Sequence, residues 1–242
     1  MEFLKGLTPK ETLELDELQE ASRIGTTVKV NGAVHTIRDM GELSFVVLRK
    51  RSGLLQCIFE DGFTAFDVKN VREEEALEVT GILERDERAP HGIEIRVKEV
   101  KVLSTPYDVP PLPVGKWKLG TSLEAKLNYR SVSLRNMRER AKFRIQEGIV
   151  RGFRDFLYSQ QFTEIHTPKI GSKGAEGGSN VFKLEYFHRP AVLAQSPQFY
   201  KQMMVGVFDR VFETAPVFRA EKHNTKRHLN EYTSLDFEMG YI

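Results

Sequence analysis

Between about Thr26 and Leu103 apolar and polar residues alternate along the chain. The stretches "TVKVNGAVHTIR", "LSFVVLRKRSGLLQCIFE", "ALEVTGILER" and "IEIRVKEVKVL" carry the alternation. Asn-Gly, Met-Gly, Ser-Gly and Pro-His-Gly read as the turns that separate them. Successive side chains of a strand point to opposite faces, so each stretch predicts a half-buried strand. The period then changes. In "LRNMRERAKFRIQEGIVRGFRDFLYSQQF" the residues Phe143, Val150, Phe153 and Leu157 recur at helical spacing, with Arg and Glu between them. "FTEIHTPKI" predicts a short strand leading to Pro168, and "QSPQFYKQMMVGVFDR" a second helix with Ser196 and Pro197 near its start. Two long alternating strands follow.

About five strands in the first alternating region predict a small barrel or sandwich. A five-stranded OB-fold barrel is the first candidate, and an SH3-like or other small β module the alternative. Ahead of it, Thr8 to about Ser22 predicts a short helix, with Thr8 as cap, Pro9 in the first turn and Glu11 at the capping-box position. "STPYDVPPLPVG" holds four of the ten prolines and reads as a stiff, extended boundary. The division expected is residues 1–104 for barrel and N-terminal helix, 105–122 for a proline-rich linker, and 123–242 for an α+β domain.

The last two strands have distinct faces. In "VFETAPVFRAE" one face carries Glu213, Val217, Arg219 and Glu221, and the other Phe212, Pro216, Phe218 and Ala220. In "NEYTSLDFEMGYI" one face carries Tyr232, Ser234, Asp236 and Glu238, and the other Thr233, Leu235, Phe237, Met239 and Tyr241. The connection "KHNTKRHLN" is cationic. A hairpin would set that basic loop above a floor with Arg219 and Glu221, a cradle suited to a polyphosphate. The same alternation also suits a solvated edge hairpin.

Composition narrows the classes. The 242 residues are 40% hydrophobic and 29% charged, normal for a folded chain. A net charge of +2 neither demands nor excludes a nucleic acid partner. With Cys57 the only cysteine, no disulfide framework is possible within the chain, which suits a reducing, cytoplasmic setting. The N-terminal residues are charged from position 2, unlike a secretory signal, and no run of apolar residues is long enough to span a membrane. The sequence lacks G-x-x-x-x-G-K-[ST], G-x-G-x-x-G and G-x-S-x-G, and His223 and His228 match no standard metal spacing.

Four blocks together resemble one family. "FRAEKHNTKRHLNEYTSLDFEM" is similar to motif 2 of class II aminoacyl-tRNA synthetases, in the aspartyl subgroup of class IIb. "GAEGGSNVFKLEYFHRPAVLAQSPQFYKQ" resembles that subgroup's amino-acid-binding segment. "FLYSQQFTEIHTPKI" resembles motif 1, with Pro168 as its proline, and "GAVHTIRDMGELSFVVLRKRSGLLQCIF" resembles the anticodon-binding barrel of archaeal-type members. The blocks occur in the family's order and cover nearly the whole chain.

The resemblance implies activation of L-aspartate by ATP and Mg2+ to aspartyl-adenylate, and transfer to the 3′ end of tRNA(Asp). It implies that Arg219 grips the α-phosphate and the aspartate carboxylate, and that Glu221 meets the adenine side or the tRNA end. Arg227 and His228 would hold the outer phosphates, Leu229 would complete the ATP site, and Tyr232 would stack on adenine where the family often has Phe. Glu176 would take the substrate ammonium, and Gln198 and Lys201 would line the amino-acid pocket. Lys201 carries the specificity, since a buried cation suits a carboxylate and not an amide. In the barrel Phe45 would stack on an anticodon base, and Gln56 and Glu94 would read base edges. His35 and Pro90 occupy positions that accompany selectivity for aspartate tRNA over asparagine tRNA. Pairing into a homodimer is expected through the Leu134–Thr167 region.

Three departures stand out. "KQMMVGVFDRVFE" is about one residue shorter than the family pattern, and "SLEAKLNYRSVSLRN" lacks the usual first-turn Asp. Motif 3 and the Mg2+-binding acids, expected after Ile242, are not in the sequence. Two readings therefore stand side by side: the N-terminal part of a synthetase, inactive in isolation, or a standalone non-catalytic tRNA-binding relative.

Overall fold

The alternating stretch that begins near Thr26 closes on itself. The computed structural model describes residues 11–174, 180–223, 225 and 228–242. They fall into two compact units, Met1–Arg140 and Ala141–Ile242.

In the first unit, β1 (Thr27–Asp39), β2 (Leu43–Arg49), β3 (Leu54–Glu60), β4 (Ala76–Arg85) and β5 (Ile93–Ser104) form a closed barrel in the order β1-β2-β3-β5-β4. Consecutive strands β1, β2 and β3 pair antiparallel, whereas β3 meets β5 in parallel register, Gln56 opposite Glu94. Inward-facing residues such as Val34, Val46, Leu48, Leu55, Cys57, Leu83 and Ile95 make the core. Burial pushes the Cys57 thiol up to about 12, so it packs as a small apolar group.

Two local expectations change. Asn31-Gly32 is no turn: β1 runs through it. A Cβ on Gly32 would lie 3.1 Å from Leu48 Cβ and 3.2 Å from the Arg49 carbonyl, so the glycine serves close strand approach. The N-terminal helix shrinks to α1 (Leu15–Leu18) and a 3-10 turn at Ala21–Arg23, while Thr8, Pro9 and Lys10 lie outside the described residues. The Leu13 amide donates to the Lys29 carbonyl and Leu15 and Leu18 are buried, so the segment is held by the barrel rather than by its own turns.

The proline-rich stretch is anchored within this unit. Leu112, Val114 and Leu119 are buried. The Asn136 amide donates to the carbonyls of Val114 (2.9 Å) and Lys116 (2.5 Å). Its side-chain oxygen accepts from the amides of Arg138 and Glu139, which caps the following helix. Two short helices, α2 (Leu123–Asn128) and α3 (Arg130–Ser133), thus belong to the first compact unit.

The expected long helix is α4 (Met137–Ser159). Phe153 and Leu157 pack with Phe162 and Phe212, but Phe143 is 54% exposed and joins no core. In the second unit β6 (Thr163–Glu164) lies parallel to β10 (Arg210–Phe218), which pairs antiparallel with β11 (Glu231–Met239). A separate small sheet, β7 (Ile170–Gly171), β8 (Lys183–Tyr186) and β9 (Arg189–Leu193), has the order β7-β9-β8, and α5 (Gln198–Phe208) follows it.

Candidate functional site

The polar face of β11 gathers charge from outside the hairpin. Lys201, on the first turns of α5, is only 9% exposed. Its ammonium lies 3.1 Å from Asp236 Oδ1 and 3.6 Å from Glu238 Oε2. Ser234 donates to the other Asp236 oxygen, and the Gln198 amide reaches Glu238 Oε2 at 3.5 Å. The helix register, set by the Lys201 amide on the Pro197 carbonyl, points Gln198 and Lys201 at one strand face. The alternation of β11 had put Asp236 and Glu238 on this face, but nothing local indicates that a helical lysine meets them there.

Opposite Asp236 in the ladder stands Glu213 on β10. It is buried and accepts from the Thr167 amide (2.7 Å), the Thr167 hydroxyl (2.8 Å) and the Lys169 ammonium (2.9 Å). Two lysine–carboxylate pairs therefore occupy neighbouring positions of one sheet face.

Further along the hairpin, Arg219, Glu221, His228, Leu229 and Tyr232 line a hollow of about 270 Å³. The Arg219 guanidinium stands 6.0 Å from the centre of the Tyr232 ring, and the Thr225 hydroxyl is 2.7 Å from His228 Nδ1. Tyr232 and Asp236 share a strand face, roughly 13 Å apart at the rise of a strand. A cation, an aromatic ring and a carboxylate around one hollow suit a group that is anionic at one end and planar at the other. Arg227 and Glu176 lie outside the described residues. Among the described residues no group of three or more His, Cys, Asp or Glu is placed to hold a metal ion.

The barrel residues separate into two places. Phe45, Gln56 and Glu94 lie on the face of the sheet away from the core, since Val46, Cys57 and Ile95 point inward. The Gln56 amide donates to Glu94 Oε2 at 2.8 Å, which orients it. Burial raises the Glu94 carboxyl above its usual range, opposed by the Gln56 bond. Pro90 opens the 3-10 turn Pro90–Gly92 that leads into β5.

His35 drops out of the β1–β2 ladder. It sits at the register shift between Val34 and Thr36, is 5% exposed, and has Nδ1 3.5 Å from Arg49 Nη1. Arg49 in turn makes a two-pronged bond to Glu74 at 2.6 and 3.0 Å. Burial and the Arg49 charge lower the His35 pKa.

Residues 122–242 match the family described as tRNA synthetases class II (D, K and N), and residues 28–103 match the OB-fold nucleic acid binding domain. The chain is 48% identical over 218 residues to an aspartate–tRNA(Asp/Asn) ligase of Deinococcus radiodurans, covering 90% of this chain and 49% of that protein. It is 46% identical over 221 residues to the ligase of the same description from Thermus thermophilus, covering 91% and 51%. Among solved structures, asparaginyl-tRNA synthetase from Pyrococcus horikoshii complexed with asparaginyl-adenylate is similar with a TM-score of 0.85 at 28% identity, covering 96% of this chain and 54% of that one. The chain spans about half the length of the curated relatives it matches. Barrel and hairpin sheet, each matched along its own residues, make this chain a member of the class II tRNA synthetases of the D, K and N group.

Proposed function

We propose that the protein carrying this chain is an aspartate–tRNA ligase, and that these residues supply its anticodon-binding barrel and the amino-acid and ATP side of its catalytic sheet. The observation that carries the reading is the buried Lys201 ammonium, held by Asp236 and Glu238 on the strand face that also presents Tyr232. An ammonium has a further N–H to give to a substrate side chain; Asp236 and Glu238 already balance its charge, so the choice of aspartate leans on the relatives. The 48% and 46% identical relatives, both named as aspartate ligases, support the same choice.

In this reading the α-carboxylate of aspartate attacks the α-phosphate of ATP and pyrophosphate leaves. A hydroxyl of the terminal tRNA adenosine then attacks the activated carbonyl and AMP leaves. The protein's part is positioning and charge stabilisation. Arg219 holds the α-phosphate and the carboxylate, Tyr232 stacks on adenine, and Glu221 and Leu229 complete the nucleotide site. His228 and Arg227 meet the outer phosphates, Glu176 takes the substrate ammonium, and Gln198 lines the pocket beside Lys201. Mg2+ bound with ATP would neutralise its phosphates. Phe45, Gln56 and Glu94 contact the anticodon of tRNA(Asp), and His35 and Pro90 bear on the choice of aspartate tRNA over asparagine tRNA.

The exposed apolar side chains of α4, among them Phe143, Ile145, Ile149 and Phe156, support homodimer formation through the Leu134–Thr167 region. A cytoplasmic setting fits the buried, unpaired Cys57. Among the described residues no helix is long and apolar enough to cross a membrane.

The test is amino-acid-dependent ATP–pyrophosphate exchange by the full-length protein, followed by charging of tRNA(Asp) and tRNA(Asn) transcripts. Aspartate is expected to support exchange and asparagine to leave it at background. Exchange driven equally by asparagine, or by neither amino acid, overturns the proposal.

A further inference from the structure

On the outward face of the barrel, Phe45 is opposite Ile58 on β3, and Ile58 is opposite Arg96 on β5. Arg96 therefore lies two strands from Phe45 in the same row, roughly 10 Å away at ordinary strand spacing. Its guanidinium is built into place. One face covers the Phe63 ring, with the central carbon 4.0 Å from the ring centre. One edge is bound by Glu60, at 2.7 Å from Nε and 2.6 Å from Nη2. The side chain nevertheless remains 35% exposed. With one face and one edge taken, its second flat face and the N–H groups of Nη1 remain for a ligand.

Glu60 also balances the charge. A phosphate would meet an ion pair rather than a bare cation, whereas a nucleobase needs only a flat, polarisable, pre-oriented surface. Holding the plane between a ring and a carboxylate removes the rotamer entropy that a free arginine would lose on binding. Both rows of this face, one with Phe45 and Arg96, the other with Gln56 and Glu94, are adjacent in the ladder.

We propose that Arg96, backed by Phe63, is a second base-stacking platform of the barrel, which receives an unpaired RNA base next to the one taken by Phe45. The proposal rests on the reading of the barrel as an anticodon-binding face. It assigns Arg96 a stacking role and not a phosphate contact, and Phe63 and Glu60 the role of holding its plane.

The test is binding of the 242-residue chain to a tRNA transcript with an aspartate anticodon, measured across a salt series, for the wild type, Arg96→Lys, Arg96→Leu, Glu60→Gln and Phe45→Ala. Barrel folding of each variant is checked by circular dichroism. Arg96→Lys keeps the charge and loses the plane. It is expected to weaken binding roughly tenfold, as Arg96→Leu does, with the slope of log affinity against log salt unchanged. Glu60→Gln loosens the hold on the plane and is expected to weaken binding less than Arg96→Lys does; binding weakened by neither Glu60→Gln nor Arg96→Lys overturns the platform. Transcripts with a single abasic loop nucleotide identify the base: one abasic position is expected to weaken the wild type and leave Arg96→Lys unaffected. Full binding by Arg96→Lys with a slope shallower by about one unit in Arg96→Leu would mean a phosphate contact and overturn the platform. Unchanged binding in both Arg96 variants, with Phe45→Ala weakened, overturns the platform and leaves the barrel reading intact. Unchanged binding in Phe45→Ala and in both Arg96 variants removes both.

Discussion

Lys201 Nζ lies 3.1 Å from Asp236 Oδ1, joining a helix to a strand residue 35 positions later. Both side chains are largely buried, at 11% and 16% exposure. Removing one partner of such a pair leaves an uncompensated charge. Lys201→Met is therefore expected to destabilise the second unit by about 3 kcal/mol, and to lower aspartate-dependent exchange by more than about a hundredfold, since pocket cation and substrate partner are the same group. Urea unfolding and exchange kinetics of the full-length protein check the two effects. A variant that folds less stably yet keeps its aspartate KM would remove Lys201 from the pocket.

Tyr232 faces the hollow that Arg219 and His228 line. Either aromatic ring offers a stacking face, so Tyr232→Phe is expected to keep ATP affinity. Tyr232→Leu is expected to weaken it roughly tenfold, the scale of one lost base–aromatic stack. Calorimetric ATP titration of the full-length protein distinguishes these from a role for the hydroxyl, in which Tyr232→Phe would lose as much as Tyr232→Leu.

Glu213 satisfies a backbone amide, a hydroxyl and the Lys169 ammonium at once, and is 2% exposed. Glu213→Gln is expected to cost about 3 kcal/mol, because it strands a cation that is itself mostly buried. Replacing both partners, Glu213→Gln with Lys169→Met, is expected to recover part of that loss. Denaturant midpoints of the single and double variants give the coupling directly; additive losses would mean the pair is not coupled.

His35 should make the first unit acid-sensitive. Burial and the neighbouring Arg49 hold its pKa below the ordinary value of 6.5. The unfolded chain therefore binds a proton first as pH falls. Stability from this group is complete above about pH 6.5 and is lost as pH drops toward the folded-state pKa, at up to ~1.4 kcal/mol per pH unit. His35→Gln is expected to flatten this limb below about pH 6.5. An identical pH profile in the variant would show that other groups carry the acid response.

The positions of these residues were legible to different depths. Strand alternation is a local property of backbone geometry, so the five barrel strands, the long α4 and the two faces of the β10–β11 hairpin follow from spacing alone. Resemblance supplied candidate roles for Arg219, Tyr232 and Lys201. Asn31-Gly32 has turn chemistry, yet β1 passes through it because both sides pair, with β4 at Asn31 and Gly32 and with β2 from Ala33, and the glycine fits the close approach of Leu48 and Arg49. The segment after Thr8 has helix-start chemistry, yet barrel contacts at Leu13, Leu15 and Leu18 take over.

By itself, then, the sequence determined the period of each segment, the two textures of the chain and its family, because these rest on neighbouring residues and on motif order. Only the tertiary structure decided which partners meet. The parallel closure of β3 on β5 brings Gln56 to Glu94 and sets Arg96 against Glu60 and Phe63. The register shift of β1 takes His35 out of the ladder and sets it against Arg49. The docking of α5 over β11 gives Lys201 its two carboxylates. Each of these pairings joins residues far apart in the chain, and no local pattern encodes a contact whose energy appears only when distant elements are packed together.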